Sequence, residues 1–230
     1  MALQRRLPED HIGESSKDIV RLSMGVIATM AALVLGLLIA SAKNSYDTQS
    51  GELVHAAAQI RQLDRLLSVY GPPASDARAQ LRSTIERAID RVWPSDNGGS
   101  ANLAPLATTT EDIFTVIANL ESQTNAQRFA QSKALEIATD LSQTRLLLYE
   151  QSGGSIPLPF LVVLVFWLVI IFMAFGLFAP ANATVLATLS VSSLSVAGAI
   201  FLILELAQPF AGLMRLSSAP LRAAVAHMGI

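Results

Sequence analysis

The chain has 230 residues, 52% of them hydrophobic and 15% charged, and its mean hydropathy is +0.46. Against 16 basic residues stand 18 acidic ones, a net charge of −2, which leaves no concentrated basic surface for a nucleic acid. Cysteine is absent, which excludes disulfides, thiolate metal sites and cysteine nucleophiles.

Residues 1–21 read as a polar N-terminal tail carrying Arg5, Arg6, Glu9, Asp10, Lys17 and Asp18. So long a polar lead, and so long an apolar run after it, do not fit a secretory signal peptide. Residues 22–42 read as transmembrane helix 1, a retained anchor. Like 159–178 and 183–206, this run holds roughly 20 residues, enough to cross ~30 Å of hydrocarbon. No charge lies inside any of the three; Arg21, Lys43 and Glu205 stand at their margins.

Residues 43–158 read as a soluble domain of four helices. Leu53, Ala56, Ile60, Leu63, Leu67 and Tyr70 alternate in steps of three and four, the signature of one helical stripe. Gly71-Pro72-Pro73 ends that helix. The second runs over 75–93, with Ser75 as N-cap and Leu81, Ile85, Ala88 and Val92 inward. Pro94 and the Ser-Asn-Gly-rich stretch after it form a loop. Thr108 and Glu111 have capping-box spacing at the head of a third helix with Ile113, Val116, Ile117 and Leu120 on its apolar face. A fourth spans 125–150 with Ala130, Ala134, Ile137, Leu141 and Leu148 in another stripe. Such alanine-rich faces fit either contact with neighbouring subunits and span ends or a self-contained bundle.

Residues 159–178 and 183–206 read as transmembrane helices 2 and 3. The five uncharged residues 179–183 force them into an antiparallel hairpin, and 207–230 read as a C-terminal tail. The fold class expected is therefore an all-α membrane protein, three transmembrane helices with a four-helix soluble domain inserted between the first and second.

Catalytic signatures are missing. His11, His55 and His227 make no metal-ligand spacing, and there is no phosphate loop, nucleophile elbow or dinucleotide fingerprint. Neither an enzyme, a metal nor a cofactor is expected. Polar groups within the spans concentrate in the third. Thr184, Thr188, Ser192 and Ser195 follow one another by four, four and three residues and share a face. They either line a wet pathway or let helices approach closely. Phe166, Trp167 and Phe172 are candidates for a hydrophobic constriction, or for plain packing. Glu205, a carboxylate at the edge of a span, is either functional or solvated.

From about Ile156 the sequence resembles the bestrophin-like domain family of bacterial membrane proteins. The resemblance rests on Phe166-Trp167 and on Phe175-Gly176-Leu-Phe-Ala-Pro180 with Asn182-Ala-Thr-Val185. It continues through Ala199-Ile-Phe-Leu-Ile-Leu-Glu205, Gln208-Pro209-Phe210, Gly212 and Leu216-Ser-Ser-Ala-Pro-Leu-Arg222. Arg5-Arg-Leu-Pro-Glu-Asp-His11 and Ser16-Lys-Asp-Ile-Val20 are also similar to it. Ala207 departs from the family pattern, which has an aspartate there, so no role for that acid is carried over. The resemblance implies a homo-oligomer in the bacterial inner membrane that passes a small anion such as chloride. The rival expectation is a non-conducting membrane-anchored interaction or sensor protein. Orientation is poorly marked. Four basic residues precede the first span (Arg5, Arg6, Lys17, Arg21) against five opposite (Lys43, Arg61, Arg145, Arg215, Arg222). The clustered amino-terminal ones favour that end inside, whereas the resemblance implies a cytosolic helical domain, the expectation adopted.

Overall fold

The computed structural model describes residues 14–94, 111–151, 157–178 and 182–228. Among these residues the regular structure is all helix, without a strand. The first helix, α1 (Glu14–Tyr70), is 57 residues long. The anchor runs on past Ala42 into the polar stripe helix without interruption. No proline stands between Pro8 and Pro72, and the polar Lys43-Asn44-Ser45 change the helix's preferred solvent without removing any backbone donor.

Gly71 ends α1 at φ 99°, ψ −162°, a conformation that essentially only glycine adopts. Pro72–Ala74 then form a 3₁₀ turn, closed by the Ala74 amide donating to the Gly71 carbonyl at 3.0 Å. The turn leads directly into α2 (Ser75–Val92). Ser75 is therefore not the N-cap: its φ of −56° and ψ of −44° are already helical, and Ala74 holds the cap position without a capping side chain.

The third helix, α3 (Glu111–Ala118), is short, and the Thr108–Glu111 capping box lies outside the described residues. Helix α4 (Asn125–Gln151) has a capping box of its own. The Gln127 amide donates to Thr124 Oγ1 at 3.1 Å, while Gln127 Oε1 accepts from the Thr124 and Gln123 amides at 3.1 and 2.9 Å. Helices α5 (Leu158–Phe178) and α6 (Ala183–Leu206) occupy the expected second and third apolar runs, and α7 (Ala219–Ala226) follows. Asn182 caps α6, its side chain accepting from the Val185 amide at 2.9 Å.

The chain divides into two compact units. One comprises residues 1–44 and 155–207, the other 45–154 and 208–230. In the first, Ala31 and Leu38 of α1, Leu164 and Ile171 of α5 and Ile203 of α6 form the buried core. A seven-residue step, two helical turns, puts each pair on one face of its helix. Trp167 and Leu168 pack half-buried against this core. Elsewhere the apolar side chains point outward: Leu22, Leu33, Leu158, Leu186 and Leu194 are 69–74% exposed. Leaving such surface in water costs ~25 cal/mol per Å², a penalty that hydrocarbon removes. Helices α1, α5 and α6 are long and apolar enough to cross a membrane, with their backbone groups satisfied internally.

The second unit has its own core. All six residues of the Leu53–Tyr70 stripe are buried, as are Leu81, Ile85 and Val92 of α2, Ile113 and Ile117 of α3, and the whole Ala130–Leu148 stripe of α4. Helix α2 packs against α3 and α7, and α3 along α4. The carboxyl-terminal segment, expected as a tail, contributes Phe210, Leu216, Ala224, Val225 and Met228 to this core. A helix of eight residues is too short to announce itself by periodicity, and its alanines carry little hydrophobic signal.

Candidate functional site

The hydroxyl face of α6 exists as the spacing implied. Thr184, Thr188, Ser192 and Ser195 are all exposed, along the edge of the helix beside its inward-facing residues. Thr188 Oγ1 donates to the Thr184 carbonyl and Ser195 Oγ to the Val191 carbonyl, both at 2.9 Å. Two further serines behave alike: Ser190 Oγ donates to the Leu186 carbonyl at 2.8 Å, Ser193 Oγ to the Ser190 carbonyl at 2.9 Å. The hydroxyl protons of Thr188, Ser190, Ser193 and Ser195 are thus spent on the helix. An anion needs a donor. Thr188 or Ser195 would have to rotate about χ1 and give up a bond worth about 1 kcal/mol to provide one.

The three constriction candidates do not share a face. Phe166 is 60% exposed, Trp167 turns toward the first unit's core, and Phe172 is half-buried elsewhere on α5. Successive positions lie ~100° apart on a helix, so adjacent Phe166 and Trp167 necessarily diverge.

The other motif residues divide between two roles. Gly176 is exposed on α5, and a Cβ there would meet nothing within 4 Å. Pro180 lies outside the described residues. Asn182 is the α6 cap, and Glu205 is half-buried in the last turn of that helix. Pro209, Phe210 and Gly212 build a loop in the second unit. The Ala211 amide donates to the Gln208 carbonyl at 3.0 Å and the Leu216 amide to the Pro209 carbonyl at 2.6 Å. Gly212 has φ 77°, where a side chain would be strained. Trp93 receives this loop. Its indole N–H donates to the Leu216 carbonyl at 2.7 Å, and its ring meets Phe210 edge-on, centroids 5.9 Å apart at 67°.

A family model described as the Bestrophin-like domain matches residues 1–221. The chain belongs to the bestrophin-like domain family. No curated protein and no solved structure matches it.

In this bestrophin-like chain the Gln208–Leu216 string is thus a structural clasp on α2. Its partner Trp93 was not singled out in the sequence, although a tryptophan just ahead of Pro94 at a helix end is a usable signal. A second omission is the amide network at the far end of α1. Gln131 Nε2 donates to the carbonyls of Ile117, Ala118 and Leu120 at 2.9, 3.2 and 2.9 Å, while its Oε1 accepts from Ser122 Oγ at 2.7 Å. Ser122 also meets the Tyr70 hydroxyl at 3.2 Å, and Gln127 Nε2 donates to the Tyr70 carbonyl at 3.2 Å. The network ties the ends of α1 and α3 to α4. Beside Trp93 lies an apolar cavity of about 90 Å³, walled by Leu63, Leu81, Ile85 and Leu141 among others, with Arg145 at its lining. Burial pushes the Arg145 guanidinium below its ordinary range. Among the described residues no group of three or more histidines or carboxylates is placed to hold a metal ion.

Proposed function

We propose that the protein is a homo-oligomeric, multi-pass protein of the bacterial inner membrane that conducts small anions such as chloride. Membership of the bestrophin-like family over residues 1–221 carries this reading. Helices α1, α5 and α6 are the three spans, and the four helical segments over 43–158 form a soluble domain between the first and second, on the cytosolic side. Three spans in one chain enclose no continuous path, so the path lies between copies; identical chains usually close into symmetric rings. The exposed Thr184–Ser195 face of α6 lines it, and Thr188 and Ser192 sit at its middle.

Chloride flux from liposomes holding the purified protein tests this directly. The wild type should exceed empty liposomes. The T188V/S192V variant, assembled normally, should lose about fivefold or more, the equivalent of one ~1 kcal/mol hydrogen bond in a barrier. No flux from a folded, assembled wild type would leave the second reading, a membrane-anchored interaction or sensor protein. The donation of the Thr188 and Ser195 hydroxyls to their own helix favours that alternative, because hydroxyls satisfied within one helix suit close helix packing better than the holding of an anion.

A further inference from the structure

The second unit carries a groove that the family relationship does not address. About 850 Å³ in volume, it is walled by α1, α2, α7 and the residues just after α7. Arg61, Arg65 and Ser68 line it from α1, Arg78 from α2 and His227 from beyond α7. Asp64 is the one carboxylate in that lining, and its charge is already used. Arg78 Nε donates to Asp64 Oδ1 at 2.8 Å and Nη2 to Oδ2 at 3.2 Å, a bidentate pair with the Asp64 side chain only 12% exposed.

Arg61 and Arg65 are different. Among the described residues neither forms an ion pair or a side-chain hydrogen bond. Several other cations of this unit do have partners: Arg82 with Glu86 at 3.0 Å, Lys133 with Glu136 at 2.6 Å, and Arg128 with Asn125 at 2.7 Å. Arg61 and Arg65 also stand four residues apart, where like charges repel across one helical turn. Asp64 would neutralise them from its place between the two, but it turns to Arg78 instead. The groove is therefore left with two adjacent, unneutralised guanidiniums on one wall and an imidazole and a hydroxyl nearby.

We propose that this groove binds a tetrahedral oxyanion, a phosphate or phosphate ester, held by the Arg61 and Arg65 guanidiniums. The planar fork of arginine matches two oxygens of such a group at once, a geometry that a halide cannot exploit. The groove's size admits an anion with a substituent. Two sources share this chemistry: a soluble phosphate compound and the headgroup of an anionic phospholipid. The site does not depend on whether the protein conducts.

The test uses the full chain in nanodiscs of phosphatidylcholine alone, titrated with inorganic phosphate at low ionic strength and followed by calorimetry. Saturable binding is expected, weakening as salt is added because the groove is open to solvent. R61Q/R65Q should lower the affinity about tenfold or more, and R61K/R65K, which keeps the charge but not the fork, should fall between the two. Circular dichroism and the oligomer mass of each variant establish that the fold survives. Adding phosphatidylglycerol to the discs identifies the source. Competition with phosphate, with the lipid retained by wild type but not by R61Q/R65Q in native mass spectrometry, means a headgroup; no competition means a soluble ligand. Equal phosphate affinity in wild type and R61Q/R65Q overturns the proposal. So does absence of binding by wild type together with a changed oligomer mass in the variant, which would make this face a contact between copies.

Discussion

The indole of Trp93 and the carbonyl of Leu216 are joined by a buried 2.7 Å hydrogen bond, although 123 residues separate them. Between the two lie α5 and α6, two of the three helices able to cross a bilayer. A membrane cannot stand between hydrogen-bonded groups, so the number of crossings between residues 93 and 216 is even. Either both helices cross or neither does. That parity holds whatever the distribution of basic residues, which is nearly even on the two sides of the first apolar run.

Removing the indole donor should show what the clasp is worth. Trp93→Phe keeps an aromatic ring against Phe210 but leaves the buried Leu216 carbonyl without its partner. A loss of about 2 kcal/mol is expected, the usual penalty for orphaning a buried polar group. Denaturant unfolding of the second unit, followed by circular dichroism in detergent, measures it. An unchanged midpoint would mean that water replaces the indole at no cost.

The three-span arrangement predicts opposite labelling of two introduced thiols. With no native cysteine, Ser83→Cys on the exposed side of α2 and Ala183→Cys at the start of α6 report cleanly. In sealed vesicles a membrane-impermeant maleimide should reach one and not the other. Labelling of both from one side would contradict the α5–α6 hairpin.

The long apolar helices were the legible part of the fold, because an uninterrupted apolar run of about 20 residues stands out in any sequence. The two later spans fall within a residue of the observed α5 and α6. The stripes of α1 and α4 were legible for the same reason, since every residue named in them is buried. The passage of the anchor straight into a polar helix was legible too, because polarity changes at Lys43-Asn44 but nothing there breaks a helix. Ser75 looked like a cap because the 3₁₀ turn before it is invisible to composition. In the candidate site, the spacing of Thr184, Thr188, Ser192 and Ser195 was readable, but the direction of their hydroxyl protons was not. Nor was the pairing of Trp93 with Leu216, a contact between segments that share no periodic pattern.

Gln131 should prove necessary for the end of α3. Its amide donates to three carbonyls at and just beyond the end of α3, where backbone partners run out. Gln131→Ala should cost about 1–2 kcal/mol and raise hydrogen exchange in the stretch from Ile117 to Ser122 before the rest of the unit responds. Exchange that rises uniformly across the unit would argue against a local role.

The Asp64–Arg78 pair should contribute modestly and steadily. The hydrogen bond and charge of Asp64 outweigh burial and raise the Arg78 pKa above its ordinary value. A base whose pKa is raised by folding stabilises the fold below its unfolded value and loses that contribution only as pH rises through the folded one. For arginine that window lies beyond ordinary alkaline conditions, so raising pH from neutral to mildly alkaline should leave the Arg78 contribution constant. A double-mutant cycle with Asp64→Asn and Arg78→Gln should give a coupling of about 1–2 kcal/mol, reduced by solvent because the Arg78 side chain is 25% exposed. A coupling near zero would mark the pair as incidental.

The chain's two tryptophans fall one in each compact unit, Trp93 in the core of the second and Trp167 against the core of the first. The protein therefore contains its own pair of optical reporters. In Trp167→Phe all indole emission comes from the helical unit, and in Trp93→Phe all of it comes from the apolar one. Spectra of the two variants would resolve which unit responds first to heat, detergent or an added solute, without any attached dye.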